Sequence, residues 1–504
     1  MALAPSRTDP ILLTLDVGSS SVRALAFDRL GRGLDLGCQR PYEATMTPDG
    51  GVEIDAERLF SLTVETLDTL LAALGPSSWR VVAVATSTFW HTLLGLGQDD
   101  RACTPIYSWA DTRSVGAVEA LRVRVDEKAY HARVGCRLHT SYLPARLWWL
   151  RERDPVTFHA TRRWVSFGEY MGLRLFGELR TSVSMASGTG LFDQWAQRWD
   201  PGILDVLGLG VEHLGSLVGL DQPFGGLRPE FATRWPGLAQ VPWLPALGDG
   251  ACSNVGAGCT MAERVALMVG TSGAMRVCLP AESVAIPDGL WCYRVDGRRL
   301  LLGGSLSNGG NLYAWLTETL SLPPPEQVEQ DLEAMEADAH GLTVLPFLAG
   351  ERSLGWVAGA RAAVAGLSLA TRPIDVVRAG LETVAYRFAM IHERLREACP
   401  SLREVVGTGA ALLASPVWIQ IMADVLGMAL TPSAEGEGSS RGAALLASEA
   451  LGLIPSLEAA PAATRPAIPT DPARHARYRA GLARHRQLYD LLVPHMTAER
   501  RAAP

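Results

Sequence analysis

Lysine is nearly absent from this chain of 504 residues, because Lys128 is the only one and every other Lys/Arg position is arginine. A P-loop nucleotide site needs a lysine after its glycine-rich loop, and a protein kinase needs one on its third strand. A Schiff-base enzyme needs a buried lysine, whereas Lys128 lies in a polar stretch typical of a helix. These classes are excluded, so any bound phosphate must be held by backbone amides, hydroxyl groups and arginine.

Several other features are also missing. There is no dense basic block, and the net charge is -7, so we expect no nucleic acid as a partner. No apolar run approaches the roughly 20 residues of a membrane span, and residues 1–10 contain no apolar signal core. The eight cysteines form no CxxC pair, which argues against a zinc site and favours small buried thiols. We therefore expect a cytoplasmic protein without a membrane partner.

The beginning of the chain has the pattern of a mixed α/β lobe. Residues 11–16 form an apolar strand that ends in an acid, 17–20 form a turn, and 21–28 alternate like a half-buried strand. Apolar residues at helical spacing predict a helix over 56–74. A buried strand over 80–85 follows.

The pattern recurs in the second half of the chain. An apolar strand over 264–269 leads into the turn 270–274 and a second strand over 276–279. A further strand over 403–406 runs into the turn 407–410. Each half thus offers a strand, a Gly/Ser/Thr turn and a strand, which indicates a weak internal duplication.

The length and composition favour two large lobes and a short tail. We predict an N-terminal lobe over residues 1–258. A C-terminal lobe over 259–453 includes a long amphipathic helix over 374–399. The Ala/Pro-rich residues 454–472 predict a loose connector, which leads to a terminal helix within the tail 454–504.

Five motifs occur in an order that resembles the FGGY carbohydrate kinases, over about residues 11–450. They are the segments 16–23 (DVGSSSVR), 109–113 (WADTR), 248–250 (GDG), 270–274 (GTSGA) and 407–410 (GTGA). Each motif alone is common in α/β proteins, but the ordered set is specific. The resemblance implies two actin-like or hexokinase-like (ribonuclease H-like) lobes that flank a catalytic cleft. It also implies ATP and Mg²⁺ as cofactors, with sugar binding and the first phosphate hairpin in the lobe 1–258 and nucleotide binding in the lobe 259–453.

The resemblance assigns three segments to ATP. The residues that it implies are Asp16, Gly18, Ser19, Ser20, Ser21 and Arg23 in the first hairpin, Gly270, Thr271, Ser272 and Gly273 in the second, and Gly407, Thr408, Gly409, Ala410 and Gln420 for adenosine. Serine and threonine supply donors, and Arg23 can replace the missing lysine. Asp16 would act on Mg²⁺ through water. The alternative is that these are ordinary turns.

Asp249 is the candidate general base, because a carboxylate can accept the proton of a sugar hydroxyl, and it also lies near the expected Mg²⁺. The alternative is a turn cap. Trp109 can pack on an apolar sugar face, and Asp111 can accept hydroxyl hydrogen bonds. Arg113 either orders this loop or reaches an anionic group. His91 follows a buried strand, where ligand groups often gather, although a lone histidine is frequently structural.

Three local segments look most like the gluconate kinases: 270–276, 307–311 and 349–352. A sugar acid needs a cation for its carboxylate, and Arg352 and Arg113 are available. Gluconate, converted to 6-phosphogluconate, is therefore the favoured substrate, with xylulose or another pentulose or polyol as the alternative. A non-catalytic nucleotide sensor of the same fold also stays open, as does a homodimer.

Overall fold

The computed structural model describes residues 10–502, without the side chains of 78–79 and 497–502. Residues 1–9, which belong to the stretch in which the sequence predicts no signal core, lie outside the described residues, as do 503–504. Among the helices of residues 10–502, none combines the length and apolar character needed to cross a bilayer. All eight cysteines are free, and six of them are buried, in agreement with the prediction of buried thiols.

The first lobe is built from fourteen strands and ten α-helices within the described residues. The strands are β1 (Ile11–Val17), β2 (Ser21–Phe27), β3 (Gly33–Pro41), β4 (Thr45–Met46), β5 (Val52–Ile54), β6 (Val81–Thr88), β7 (Leu94–Leu96), β8 (Ile106–Tyr107), β9 (Arg163–Val165), β10 (Arg180–Ser182), β11 (Phe192–Asp193), β12 (Arg198–Trp199), β13 (Ser216–Val218) and β14 (Leu247–Gly248). The helices are α1 (Ala56–Leu74), α2 (Val115–Arg122), α3 (Glu127–Val134), α4 (Leu143–Arg153), α5 (Pro155–Ala160), α6 (Phe167–Phe176), α7 (Val183–Ser187), α8 (Pro201–Leu207), α9 (Pro229–Arg234) and α10 (Asp249–Gly256).

The second lobe continues with eight strands and seven α-helices. The strands are β15 (Arg264–Val269), β16 (Gly273–Leu279), β17 (Trp291–Arg294), β18 (Leu300–Leu306), β19 (Thr343–Leu345), β20 (Ala363–Ala365), β21 (Glu404–Thr408) and β22 (Leu430–Pro432). The helices are α11 (Gly310–Thr319), α12 (Pro325–Ala334), α13 (Pro373–Ala398), α14 (Ala410–Leu413), α15 (Pro416–Leu426), α16 (Gly438–Ala450) and α17 (Pro472–Ala502).

The central sheets of the two lobes have matching topology. The first has the order β14-β6-β1-β2-β3, and the second has β22-β21-β15-β16-β18, with β17 added at its edge. In each, the opening hairpin is antiparallel, and its second strand pairs antiparallel with the next strand, β3 or β18. The first strand of the hairpin pairs in parallel with the later strand β6 or β21. The internal duplication predicted from the turns is therefore present in the fold.

Both faces of β1 are covered, because its side chains alternate between the faces with a period of two. Leu13 and Leu15 pack in the core that includes α1, whereas Leu12 packs in the core that includes α16. Asp16 shares the face of Leu12, so the alternation points this acid toward the side of α10 and α16. The same alternation therefore builds the core and orients the carboxylate.

Helix α16 joins the lobes, since it follows the second sheet in sequence but packs on α10, β1 and β6. The crossing of α10 and α16 is very close at two glycines. A Cβ on Gly256 would lie 1.8 Å from the carbonyl oxygen of Gly438, and a Cβ on Gly442 would lie 1.8 Å from that of Cys252. Only glycine permits this approach. The crossing holds α10, and with it Asp249 at its first turn.

The prediction of a loose connector over 454–472 is wrong. Isolated β-bridges join Leu430 to Ile468 and Ser433 to Thr464. The Arg441 guanidinium donates to the carbonyl oxygen of Ala460 at 3.0 Å. Alanine and proline composition indicated low order, but backbone carbonyls of this segment satisfy an arginine on α16, and the segment is held against both lobes.

Candidate active site

Two adjoining cavities lie between the lobes. The first has a volume of ≈ 250 Å³ and is lined by Ser19, Trp90, His91, Trp109, Asp249, Gly250, Met268, residues 270–274, Arg276, Trp291, Tyr293, Ser305 and Arg352. The second has a volume of ≈ 230 Å³ and is lined by Asp16, Arg23, Asp249, Gly250, Ser253, Ala257, Met268, Arg276, Thr408, Gly409, Ser433 and residues 435–439. Four residues are common to both linings: Asp249, Gly250, Met268 and Arg276. The predicted sugar residues His91, Trp109 and Arg352 thus line the first cavity with Ser19 and the turn 270–273, whereas Asp16, Arg23, Thr408 and Gly409 line the second.

Asp249 is held at this junction by backbone donors. Its Oδ1 accepts hydrogen bonds from the amides of Gly250 at 2.8 Å and Trp90 at 3.4 Å. The Trp90 ring packs against Gly248, where a Cβ would lie 1.8 Å from the ring. Burial raises the pKa of Asp249, and Arg276 opposes this rise. A raised pKa suits a carboxylate that must take a proton.

The first hairpin brings Asp16 and Arg23 face to face. They are cross-strand partners, and Arg23 Nη1 lies 3.4 Å from Asp16 Oδ2. Arg23 Nε also lies 3.7 Å from Oε2 of Glu437, the N-cap residue of α16. Burial raises the pKa of Asp16 to about 6, against the opposing charge of Arg23. The hairpin therefore presents one cation and one buried acid to the second cavity.

The turn of this hairpin is open toward the cleft. Ser19 lines the first cavity and is exposed, as is Ser20. The Gly18 amide donates to the carbonyl oxygen of Ser21 at 3.0 Å, and a Cβ on Gly18 would meet only that oxygen, at 3.7 Å. Ser21 is buried and accepts from Gln39 at 3.1 Å. Ser19 is thus the serine that reaches the cavity itself.

The carboxylates around the second cavity fit the chemistry of Mg²⁺. Asp16 and Asp249 both line it, and the negative charge of Asp249 contributes to the raised pKa of Asp16. Glu437 adds a third carboxylate at the rim. Mg²⁺ prefers one or two carboxylates, several waters and substrate phosphates. A divalent cation would relieve the repulsion between the two buried acids.

The second hairpin turn is clamped by the start of α11. The amides of Gly310 and Asn311 donate to the carbonyl oxygens of Gly270 and Thr271 at 2.8 and 3.0 Å. Residues 270–273 line the first cavity. The segment 349–352 is tied to the same region, because Asn308 Oδ1 accepts from the Ala349 amide at 3.2 Å. The three gluconate-kinase-like segments of the sequence therefore converge on one side of the cleft.

His91 faces the first cavity in a strained conformation, with φ of 62°. Its Nδ1 lies 2.5 Å from the carbonyl oxygen of Gly188, and burial lowers its pKa to about 3. The ring is therefore neutral, and Nδ1 must donate because a carbonyl only accepts. This leaves Nε2 as an acceptor for a hydroxyl donor.

Trp109 and Arg352 form a stacked pair at the wall of the first cavity. The guanidinium carbon of Arg352 lies 5.2 Å from the Trp109 ring centroid. Arg352 Nη2 donates to the carbonyl oxygen of Leu306 at 2.8 Å, but its buried Nε has no partner within residues 10–502. The wall thus combines a flat apolar surface with a cation that is not neutralised.

Arg276 is the functional residue that the sequence analysis overlooked. It lies on β16, is 8% exposed, and lines both cavities. The sequence did contain a signal, because Arg276 is a charged residue in an otherwise apolar strand. Charged side chains are seldom buried unless they are paired. Trp291, Tyr293 and Ser305, which line the first cavity beside it, carried no such signal because aromatic and small residues are ordinary in strands.

Asp111 and Arg113 do not reach the cavity, contrary to prediction. Arg113 Nη2 lies 2.6 Å from Asp111 Oδ2 and 2.7 Å from Glu53, and its guanidinium stacks over Trp149 at 4.8 Å. Asp111 is 1% exposed and also accepts from the Val52 amide at 3.2 Å. The pair therefore orders the loop that presents Trp109. Of the two predicted roles for Arg113, loop ordering agrees with the structure.

Gln420 is also placed elsewhere, contrary to the prediction that it lies near adenosine. Its Nε2 donates to Asp424 at 2.9 Å and to the carbonyl oxygen of Pro469 at 3.0 Å. It lines a separate cavity beside α15. In the turn 407–410, Thr408 and Gly409 line the second cavity, whereas Gly407 and Ala410 do not. The hydrogen bond to Pro469, in the segment 454–472, holds Gln420 away from the cleft.

Comparisons with known proteins agree with this geometry. The N-terminal domain of the FGGY family of carbohydrate kinases matches residues 11–256, and the C-terminal domain of that family matches 265–451. The chain belongs to the FGGY family of carbohydrate kinases. The resemblance inferred from the ordered motifs is confirmed, and so is the predicted fold of two α/β lobes around a cleft.

Within the family, the chain is similar to kinases named for different substrates. It is 24% identical to the gluconokinase of Bacillus subtilis (strain 168) over 460 residues, 89% of each chain. A gluconate kinase structure from Lactobacillus acidophilus superposes with a TM-score of 0.90 at 25% identity, covering 96% of this chain and 98% of the other. A ligand-bound xylulose kinase from Lactobacillus acidophilus gives 0.89 at 25% identity, with the same coverage of 96% and 98%.

Proposed function

We propose that the protein transfers the γ-phosphoryl group of ATP to a hydroxyl of a sugar acid, with gluconate as the favoured substrate and 6-phosphogluconate as the product. Asp249 accepts the hydroxyl proton. Asp16 and Asp249 would hold Mg²⁺, which would neutralise phosphate charge. Arg23 and the turns 17–21 and 270–273 hold the phosphates, as positioning and charge neutralisation dominate phosphoryl transfer.

The observation that carries the choice of a sugar acid is the uncompensated charge of Arg352. Its neighbour Glu351 is neutralised by Arg387 and accepts from the Tyr489 hydroxyl at 2.7 Å. Arg352 has no carboxylate within ion-pair distance among the described residues. A buried guanidinium without a counterion is costly. The carboxylate of a sugar acid would supply that counterion in bidentate form.

A neutral pentulose or polyol is the second candidate, and xylulose is its first member. The name of the xylulose kinase similar to this chain favours it, and His91 and Trp109 suit any polyhydroxy chain. A polyol would hydrogen-bond to His91 Nε2 and pack on the Trp109 ring, but it would leave the charge of Arg352 uncompensated. The two candidates thus differ in what they predict for Arg352.

The test is a coupled assay of ADP formation with gluconate, xylulose, ribulose and glycerol, together with glucitol, a neutral analogue of gluconate. We expect the highest kcat/KM with gluconate. Arg352→Gln should raise the KM for gluconate about 10–100-fold, because hydrogen bonds to charged groups contribute about 1.5–3 kcal/mol. Arg352→Lys should recover part of the loss.

A preference for xylulose over gluconate in the parent protein would reject the sugar-acid substrate while keeping a sugar kinase. ATP binding without phosphorylation of any sugar in the panel would instead favour the nucleotide sensor. The cytoplasmic location, the homodimer and the absence of a nucleic-acid partner stay predictions from the sequence.

A further inference from the structure

Arg276 is a buried cation that forms no ion pair with any of the described residues. It is 8% exposed, and its Nη1 is buried without a hydrogen bond to any residue of 10–502. No carboxylate of the described chain lies within 4.0 Å of its guanidinium, although Asp249 is the acid whose charge acts on it most. A buried arginine is normally paired. An anionic ligand is therefore the expected partner.

The location of Arg276 separates it from the other arginines of the cleft. Arg23 lines the second cavity and Arg352 the first, whereas Arg276 lines both. A Cβ on Gly250 would lie 3.3 Å from the Arg276 guanidinium carbon, so the guanidinium packs against the residue that follows Asp249. The Arg276 guanidinium therefore lies where a chemical group that moves from one cavity to the other would pass.

The second lobe presents this side chain to the cleft through strand register. Ala274 and Arg276 share one face of β16 because side chains alternate along a strand, and Ala274 lines the first cavity. The cross-strand partners of Arg276 are Ala266 and Gly303. Small residues on both sides leave the guanidinium free to project. The turn 270–273 lies about 10 Å away along the same strand.

We propose that Arg276 is a second catalytic residue, which binds the phosphoryl group as it passes from ATP to the substrate hydroxyl. In this step the bond from Pγ to the ADP oxygen breaks, and its electron pair stays on ADP. A bond forms from the substrate oxygen to Pγ, and the hydroxyl proton moves to Asp249. The guanidinium contacts the equatorial oxygens of the transferring group, whose charge it neutralises.

This proposal rests on the phosphoryl transfer of the proposed function but not on which sugar is the acceptor. Arg276 comes from the second lobe and Asp249 from the first. The carboxylate that takes the proton and the cation that binds the phosphoryl group therefore meet only when both lobes contribute.

The test compares the binding of ADP with the binding of ADP plus aluminium fluoride, which mimics the transferring phosphoryl group. Both are measured with Mg²⁺ and the best acceptor of the parent protein, by the fluorescence of the tryptophans that line the first cavity. Arg276→Gln should weaken the aluminium fluoride complex about 100-fold or more, since transition-state analogues report such contacts. ADP alone should bind within about threefold of the parent.

Arg352→Gln is the matched control, because it removes a cation that lines only the first cavity. It should weaken acceptor binding but leave unchanged the factor by which aluminium fluoride tightens the binding of ADP. In turnover, Arg276→Gln should lower kcat on the order of 10³-fold with acid and neutral acceptors alike, as for an arginine that neutralises phosphoryl charge. Arg276→Lys keeps the charge and should recover part of both signals, and it carries the same test if the glutamine variant does not fold.

Two results would overturn the proposal. One is an aluminium fluoride complex equally tight in Arg276→Gln and the parent. The other is a raised KM for a sugar acid with unchanged kcat, which would make Arg276 a carboxylate-binding residue. Failure of the sugar-acid proposal is separate, since it would appear in the parent protein as a neutral sugar being the best acceptor.

Discussion

The two phosphate hairpins share a backbone but distribute their charges differently. In the first hairpin, the second cross-strand pair from the turn is Asp16 with Arg23. In the second hairpin, the corresponding pair is Met268 with Ala274, and the arginine comes two residues later, at Arg276. The first hairpin thus contains an acid and a cation 3.4 Å apart, whereas the second contains a cation alone.

This difference shows how a duplicated fold acquires one asymmetric site. The charges of the first hairpin compensate each other within their own lobe. Among the described acids, Asp249 across the cleft has the largest effect on the pKa of Arg276. The first lobe therefore supplies the acids that we propose for metal binding and proton transfer, and the second supplies a cation without a local partner among the described residues. Substitution of a charged residue in the first lobe should therefore affect catalysis and ligand binding differently from substitution of Arg276 in the second lobe.

The largest effect is expected from Asp249→Asn, which keeps the size of the side chain and removes the proton acceptor. We expect kcat to fall about 10²–10⁴-fold, the usual range for loss of a general base. Binding of ADP, measured by tryptophan fluorescence, should survive because the hairpin turns are unchanged. Near-normal turnover would contradict the role of Asp249.

A smaller effect is expected when the local pair of the first hairpin is broken by Arg23→Ala. The KM for ATP should rise about 10–100-fold, because charge-assisted contacts to phosphate are lost. The KM for the sugar should change much less, since Arg23 lines only the second cavity. Arg32→Ala is a suitable control, because Arg32 pairs with Asp28 on an exposed turn. Equal ATP constants in Arg23→Ala and the parent would argue against phosphate binding by Arg23.

The smallest effect concerns pH and follows from Asp16. Its pKa is raised to about 6, so the carboxylate is protonated below this pH and loses its attraction for Mg²⁺. The apparent Mg²⁺ affinity should therefore fall as pH falls through 6, by about fourfold between pH 7.5 and 5.5. Titration of activity against Mg²⁺ at several pH values measures it. In Asp16→Asn this component of the pH dependence should disappear, and its persistence would assign the titration to another group.

Local patterns in the sequence were sufficient for the elements that form the frame of the site. The apolar spacing over 56–74 matches α1, whose bounds are Ala56–Leu74. The strand-turn-strand segments at 11–28 and 264–279 form the two hairpins. These elements follow from periodicity and turn chemistry within a few residues, which act before any distant contact is made. The order of the five motifs was sufficient to identify the family.

Contacts between distant residues decided the rest. Arg113 pairs with Glu53 from a distant segment as well as with its neighbour Asp111, because a buried carboxylate and a guanidinium satisfy each other best. Gln420 bonded to the C-terminal segment.

The amino-acid sequence by itself determined the class of protein, the two hairpins and the absence of a lysine for phosphate, since these depend on residue type and short-range order. Only the tertiary structure decided that Arg276 and Asp249 share one junction. They are separated along the chain and come from different lobes, so their meeting depends on the close crossing of α10 with α16 and on the register of β16. Packing and strand pairing of this kind are sums over many long-range contacts, and a pattern within one segment does not contain them.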